Sequence, residues 1–253
     1  MSEIFAVNVK GLTRVFGNFT AVDHIELKVL KGRIFGFLGP NGAGKSTTIK
    51  MLCGLLLPTS GEGTVAGSDI LKGTEEIKEK IGYMSQKFSL YDDLTVEENI
   101  DFYAGIYRVP KSIRSERKSW ILEMSDLTEH ISRMTRSLAG GWKQRLALGC
   151  ALIHQPPIVF LDEPTSGVDP ISRRRFWNLI SDIASGGTTV FVTTHYMEEA
   201  EYCDELALIY KGKIIAKGTP SSIREESIPS GLIKLSLNDP FEALEILENS
   251  GLV

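Results

Sequence analysis

Cysteine is scarce in this 253-residue chain, and its three copies, Cys53, Cys150 and Cys203, lie far apart without metal-ligand spacing. An odd number with no framework excludes a disulfide scaffold and fits free thiols in a reducing compartment. Long hydrophobic runs are also missing. Stretches such as 51–57 and 158–161 fall far short of the roughly 18 residues that cross a bilayer. A membrane role must therefore come through a partner. Basic charge is not in excess either: 28 Lys and Arg stand against 32 Asp and Glu, for a formal net charge of −4. No dense basic run marks a nucleic-acid face, so no nucleic acid is expected as a partner. Glu3 and Asn8 interrupt a weakly apolar start, so no signal peptide is expected. Internal repeats and low-complexity segments are absent. What remains is 42% hydrophobic, enough for one large α/β domain or a core carrying a smaller subdomain.

Short apolar alternations over 4–9 and 25–30, separated by Gly11, Gly17 and Asn18, predict strands of a small antiparallel layer. Residues 34–38 form an apolar run ending in a glycine-rich turn, which reads as a buried parallel strand. A helix should follow over 44–53, and Gly61, Gly63 and Gly67 should mark turns around a further short strand. From Leu94 to Leu127 the period becomes helical. Thr95 followed by Glu98 has the form of a capping box, and Trp120, Ile121, Met124 and Leu127 recur at helical spacing. After Leu138 the pattern predicts a helix near 142–154, a strand over 158–162, a helix near 171–185, and strands over 188–194, 205–210 and 213–217. Asp169 and Pro170 suit the N-cap and first position of the helix near 171–185. Strands alternating with helices call for a mostly parallel sheet covered on both faces, here with a helical insert over about 88–140. Residues 232–237 alternate like a strand and Asp239-Pro240 opens a helix, so 228–253 reads as an accessory tail on a domain spanning 1–227.

Gly39-Pro40-Asn41-Gly42-Ala43-Gly44-Lys45-Ser46-Thr47 fulfils G-x-x-x-x-G-K-[ST] between a predicted strand and a predicted helix. Its glycines let backbone N–H groups curl around a phosphate, and the helix N-terminus adds a favourable dipole. Lys45 can set its charge against the β and γ phosphates, and the Ser46 hydroxyl can ligate Mg²⁺. The apolar strand 158–162 ends in Asp162 and Glu163. In P-loop proteins the first carboxylate helps hold Mg²⁺, and the next can polarise a water for attack on the γ-phosphate.

These segments, with Leu138-Ala139-Gly140-Gly141, Ser166-Gly167-Val168-Asp169 and His195, follow the order found in ABC transporter nucleotide-binding domains. The likeness covers roughly 3–225 and looks most like the ATPases of ABC-2-type multidrug-efflux exporters. It implies a RecA-like P-loop NTPase core, an antiparallel β subdomain and an inserted α-helical subdomain. It also implies roles for the matching positions. Glu163 would be the general base and His195 would hold the γ-phosphate. Gln86 would contact Mg²⁺ or the attacking water, and Asp169 would communicate across a dimer interface. Phe16 lies where an aromatic stacks on adenine, with Phe19 as a substitute. Asp162, Ser46 and Gln86 would form the metal set, and Ala139, Gly140 and Gly141 would face the partner's ATP.

The signature departs from the usual Leu-Ser-Gly-Gly-Gln. Ala139 lacks the serine hydroxyl, and Trp142 stands at the glutamine position. The amides near Gly140 and Gly141 remain able to bind an anion, while Ser137 is two positions off. One copy of each motif per chain implies a second nucleotide-binding domain as partner, with ATP sandwiched between the two. Transmembrane permease subunits would dock where the Gln86 segment meets the helical subdomain, giving a peripheral position on the cytoplasmic face of the membrane. The rival expectation is a soluble ABC ATPase acting on ribosomes or nucleic acid. Such proteins usually carry two cassettes or long coiled coils, and neither is present here.

Overall fold

A computed structural model describes residues 4–86 and 89–227. The expected tail over 228–253 lies outside the described residues. The chain divides into two compact units, 1–220 and 221–253. The first holds two sheets and a helical subdomain.

Strands β1 (Phe5–Phe16) and β2 (Phe19–Leu30) form an antiparallel hairpin. With β4 (Ser60–Val65) and β5 (Ser68–Asp69) they make a four-stranded sheet in the order β2-β1-β4-β5. β1 runs well past the expected end at residue 9. Its register shifts between Val9 and Leu12, around Gly11 at φ +63°, and the shift breaks the alternation while the pairing continues. Gly61 and Gly63 correct another expectation: both lie inside β4 instead of at turns. Gly63 has φ +145°, and a Cβ there would sit 2.2 Å from the Asn8 carbonyl oxygen, so β1 approaches too closely for any side chain.

The second sheet has six strands in the order β10-β9-β3-β8-β7-β6. Strands β3 (Ile34–Leu38), β6 (Ile81–Met84), β7 (Ile158–Asp162), β8 (Thr189–Thr194) and β9 (Glu205–Tyr210) run parallel, and β10 (Lys213–Gly218) closes the edge antiparallel to β9. β3, β7 and β8 are buried along their whole length, as continuous apolar runs covered on both faces should be. Phe35, Phe37 and Phe160 pack around Phe191 with ring centroids 5.3–5.7 Å apart, joining three neighbouring strands. Helix α1 (Lys45–Leu52) follows β3, and α6 (Pro170–Ser185) lies between β7 and β8. The short helix α2 (Thr74–Lys80) and strand β6 were not anticipated, because four residues containing a glycine give too little period to read.

The helical subdomain comprises α3 (Val96–Ile106), α4 (Lys111–Ser125) and α5 (Gly140–Leu152), with 3-10 turns at Thr128–His130 and Thr135–Ser137. The Thr95 capping box forms as expected: Thr95 Oγ1 accepts from the Glu98 amide at 3.2 Å, and Glu98 Oε2 accepts from the Thr95 amide at 2.8 Å. Val96, Ile100, Ile121, Leu127, Leu146 and Cys150 close a separate apolar core. Helix α7 covers Pro220–Ser227. No helix among the described residues is long and apolar enough to cross a membrane.

His154 joins the helical subdomain to the sheet. Its ring stacks on Tyr107 at 3.8 Å, and its Nε2 lies 3.1 Å from the Ile81 carbonyl oxygen, which can only accept, so Nε2 carries the hydrogen. Burial pushes its pKa down to about 4, and Arg117 adds to the effect, against the opposing pull of the carbonyl. The folded protein therefore keeps this ring neutral where the unfolded chain protonates it. The stabilisation is complete above about pH 6.5 and is lost as the pH falls toward 4, up to about 3 kcal/mol. His154→Phe keeps the stack and removes the titration. Between pH 7 and pH 5 the melting temperature of the wild type should therefore fall further than that of the variant, and equal falls would contradict this account.

Candidate functional site

The site gathers at the C-terminal ends of the parallel strands, where ligands sit in open α/β sheets. β3 delivers the loop 39–44, β6 leads to Gln86, β7 ends in Asp162, and β8 leads to His195. Gly44 takes φ +110°, and a Cβ there would meet the Ala21 carbonyl oxygen at 2.6 Å, so the turn into α1 requires glycine.

Lys45 is buried, and its Nζ donates to the carbonyls of Gly39 at 2.8 Å and Pro40 at 3.1 Å. The same Nζ lies 3.0 Å from Glu163 Oε1. Ser46 donates to Asp162 Oδ1 at 3.1 Å, and Thr193 donates to that oxygen at 2.8 Å. Glu163 occupies the left-handed region at φ 48°, uncommon for a residue with a Cβ, where its amide donates to both the carbonyl and the hydroxyl of Thr193. On its other carboxylate oxygen, Gln86 Nε2 donates at 3.3 Å. His195 Nδ1 lies 3.2 Å from that oxygen without hydrogen-bond alignment. Lys45, Ser46, Gln86, Asp162, Glu163 and His195 are thus brought together. Thr193 escaped the sequence reading. Its only signal is a hydroxyl in an apolar strand directly before His195.

A cavity of about 510 Å³ opens over the loop, lined among others by Asn41, Gly42, Lys45, Ser46, Thr47 and Glu163. Phe19 and Ala21 form part of its wall. Phe16 does not. It is the cross-strand partner of Phe19 at the hairpin tip, and the Arg14 guanidinium covers its ring at 4.5 Å.

Ala139, Gly140 and Gly141 are not brought to this cavity. They line a second one of about 400 Å³, together with Asp169, Arg145 and Arg175. Ala139 caps α5 without a side-chain bond. Ser137 does not replace the missing hydroxyl, because its Oγ donates to the Met134 carbonyl at 2.7 Å. Trp142 turns toward the helical subdomain, with its ring 4.6 Å from that of His130. Asp169 caps α6 by accepting from the Ile171 and Ser172 amides, as expected. The bonds from the amide and hydroxyl of Ser172 hold its carboxyl below the usual carboxylate range.

A parallel sheet whose strand ends carry a P-loop lysine, a hydroxyl beside a carboxylate, and a second carboxylate defines a P-loop nucleotide-binding domain. Residues 22–166 match the family model described as ABC transporter. Residues 143–199 also match one described as AAA domain, putative AbiEii toxin, Type IV TA system, within the same core. The probable multidrug ABC transporter ATP-binding protein YbhF of Escherichia coli (strain K12) is 52% identical over 221 residues, 87% of this chain. The chain spans only 38% of that protein's length. The linearmycin resistance ATP-binding protein LnrL of Bacillus subtilis (strain 168) is 38% identical, over 94% of this chain and 76% of its own. Among solved structures, cbiO1 of Clostridium perfringens, part of the ABC transporter complex cbiONQ, superposes with a TM-score of 0.81 at 27% identity, covering 89% of this chain and 92% of its own. A dimeric ATP-binding cassette in a post-hydrolysis state bound to ADP and Pi gives 0.75 at 27% identity, covering 85% and 98%. The chain belongs to the ABC transporter family.

Proposed function

We propose that the chain hydrolyses ATP to drive a membrane exporter of drugs or other amphiphiles, working as one of a pair of nucleotide-binding domains. The contact of Glu163 with Lys45, Gln86 and His195 beside the P-loop cavity carries this reading. Relatives named for multidrug and linearmycin resistance support the export of amphiphiles.

Phosphate entering the loop competes with Glu163 for Lys45 Nζ. Once released, Glu163 takes a proton from the water as the water's oxygen forms its bond to the terminal phosphorus. The bond from that phosphorus to the bridging oxygen breaks, and ADP leaves with the oxygen. Gln86 and His195, both beside the same Glu163 oxygen, orient the water and the terminal phosphate. The Ser46 hydroxyl and Asp162 Oδ1, 3.1 Å apart, are hard oxygen donors of the kind Mg²⁺ selects, and Gln86 is close enough to the base to join them. Mg²⁺ bound there would neutralise charge on the β and γ phosphates.

The position of Phe19 in the cavity wall makes it the better adenine platform, in place of Phe16. Stacking of a base on an aromatic ring contributes about 1–3 kcal/mol. Phe19→Ala should therefore weaken ATP binding about 5- to 150-fold, and Phe16→Ala should weaken it less. A fluorescent ATP titration showing the reverse order would return the role to Phe16.

The signature residues and the P-loop line separate cavities of one chain, so a second nucleotide-binding domain completes each ATP site. The family's transmembrane subunits give the chain its place, peripheral to the cytoplasmic face of the membrane. Exposed Tyr91, Phe102 and Ile106 on the helical subdomain offer them an apolar docking patch, with Tyr91 and Phe102 packed edge to face at 4.6 Å. Phe102→Asp should cut retention of the chain on membranes carrying its permease by at least about tenfold while leaving ATP binding intact. Retention unchanged by the substitution would sink this docking face. Wild-type chain that never sediments with such membranes would sink the transporter reading.

A further inference from the structure

Helix α5 starts at the signature residues, and one turn on it carries Gln144, a fully buried polar side chain to which the chemistry above gives no part. Gln144 Nε2 donates to the Pro164 carbonyl at 2.7 Å, a short bond between groups twenty residues apart in sequence. Its Oε1 accepts no hydrogen bond among the described residues. Pro164 directly follows Glu163. The turn there is tightly held: Glu163 sits in the left-handed region, its carbonyl accepts from the Ser166 amide at 3.1 Å, and buried Thr165 donates to Glu199 at 2.6 Å. Gln144 therefore links the N-terminal end of α5 to the turn that directly follows Glu163.

We infer that Gln144 is a positioning residue. Through Pro164 it ties the signature end of α5 to Glu163 of the same chain, so that a phosphate bound at Gly140 and Gly141 sets the geometry of that chain's own base. This rests on the paired arrangement proposed above, in which the phosphate at the signature belongs to the partner's ATP. Each site would then sense the other through a single buried hydrogen bond inside each chain.

Gln144→Met keeps the shape of the side chain and removes the donor. The full-length variant and wild type are compared for ATP affinity with a fluorescent ATP analogue, for kcat, and for the Hill coefficient of hydrolysis against ATP. The inference predicts affinity within twofold, kcat lowered about 10- to 100-fold as for a misplaced catalytic group, and a Hill coefficient falling from near two to near one. Wild-type kcat and Hill coefficient in the variant overturn it. Should Gln144→Met not fold, Gln144→Glu, with an acceptor in place of the donor, is measured in the same way. Failure of both to fold makes Gln144 a core group and overturns the inference. A wild-type Hill coefficient of one contradicts the paired reading instead, and the change in kcat still decides the positioning role.

Discussion

Glu163→Gln should bind ATP with Mg²⁺ as the wild type does and hydrolyse it about 10²–10⁴-fold more slowly, the range typical of a lost general base. The amide is isosteric and still accepts one hydrogen bond on its oxygen, so the turn held by Thr193 and the cavity wall should survive. What disappears is the charge that draws a proton from the water. Steady-state phosphate release and a nucleotide-binding isotherm on the same preparation separate the two effects. Turnover within tenfold of the wild type would remove Glu163 from the chemistry and move the role to another acceptor near the terminal phosphate.

Lys45, which pairs with this carboxylate, carries an effect of similar weight. Lys45 and Glu163 have side chains only 4% and 9% exposed, and they meet at 3.0 Å. Removing one member of a buried pair strands the other, at a cost of about 3–5 kcal/mol. Lys45→Met should therefore lower unfolding stability by about 3 kcal/mol, toward the lower end because Gln86 and His195 stay beside Glu163. It should also abolish tight ATP binding, since Lys45 is the P-loop cation expected to face the β and γ phosphates. Adding Glu163→Gln to Lys45→Met removes the stranded charge, so most of the lost stability should return while hydrolysis does not. Urea titrations of the two single variants and the double variant form a cycle. Losses that simply add would show the pair to be solvated in solution.

Much of this site can be read from the residues alone, because its parts are local. The P-loop, the Asp162–Glu163 strand end and the Asp169 cap each combine a short pattern with its own secondary structure. Elements that depend on distant partners were harder. β1 crosses a register shift at Gly11, which hides its second half from any period count. Gly63 looks like a turn until the Asn8 carbonyl is seen beside it. Phe16 and Phe19 face each other across a two-residue turn, and nothing in their spacing tells which ring Arg14 will cover. Thr193 and Gln144 belong to the same class: each lies beside a recognisable motif, but its importance comes from a carboxylate 31 positions away or a carbonyl 20 positions away.

If ATP binds between two nucleotide-binding domains and Glu163 ends that state by hydrolysis, a chain that binds but cannot hydrolyse should stay paired. Light scattering on the Glu163→Gln chain, with and without ATP and Mg²⁺, reads this out as mass. The mass should be that of one chain without nucleotide and of two chains with it, held for as long as ATP remains uncleaved. A Glu163→Gln chain saturated with ATP that still runs as a single chain, at concentrations where the wild type hydrolyses, would contradict it.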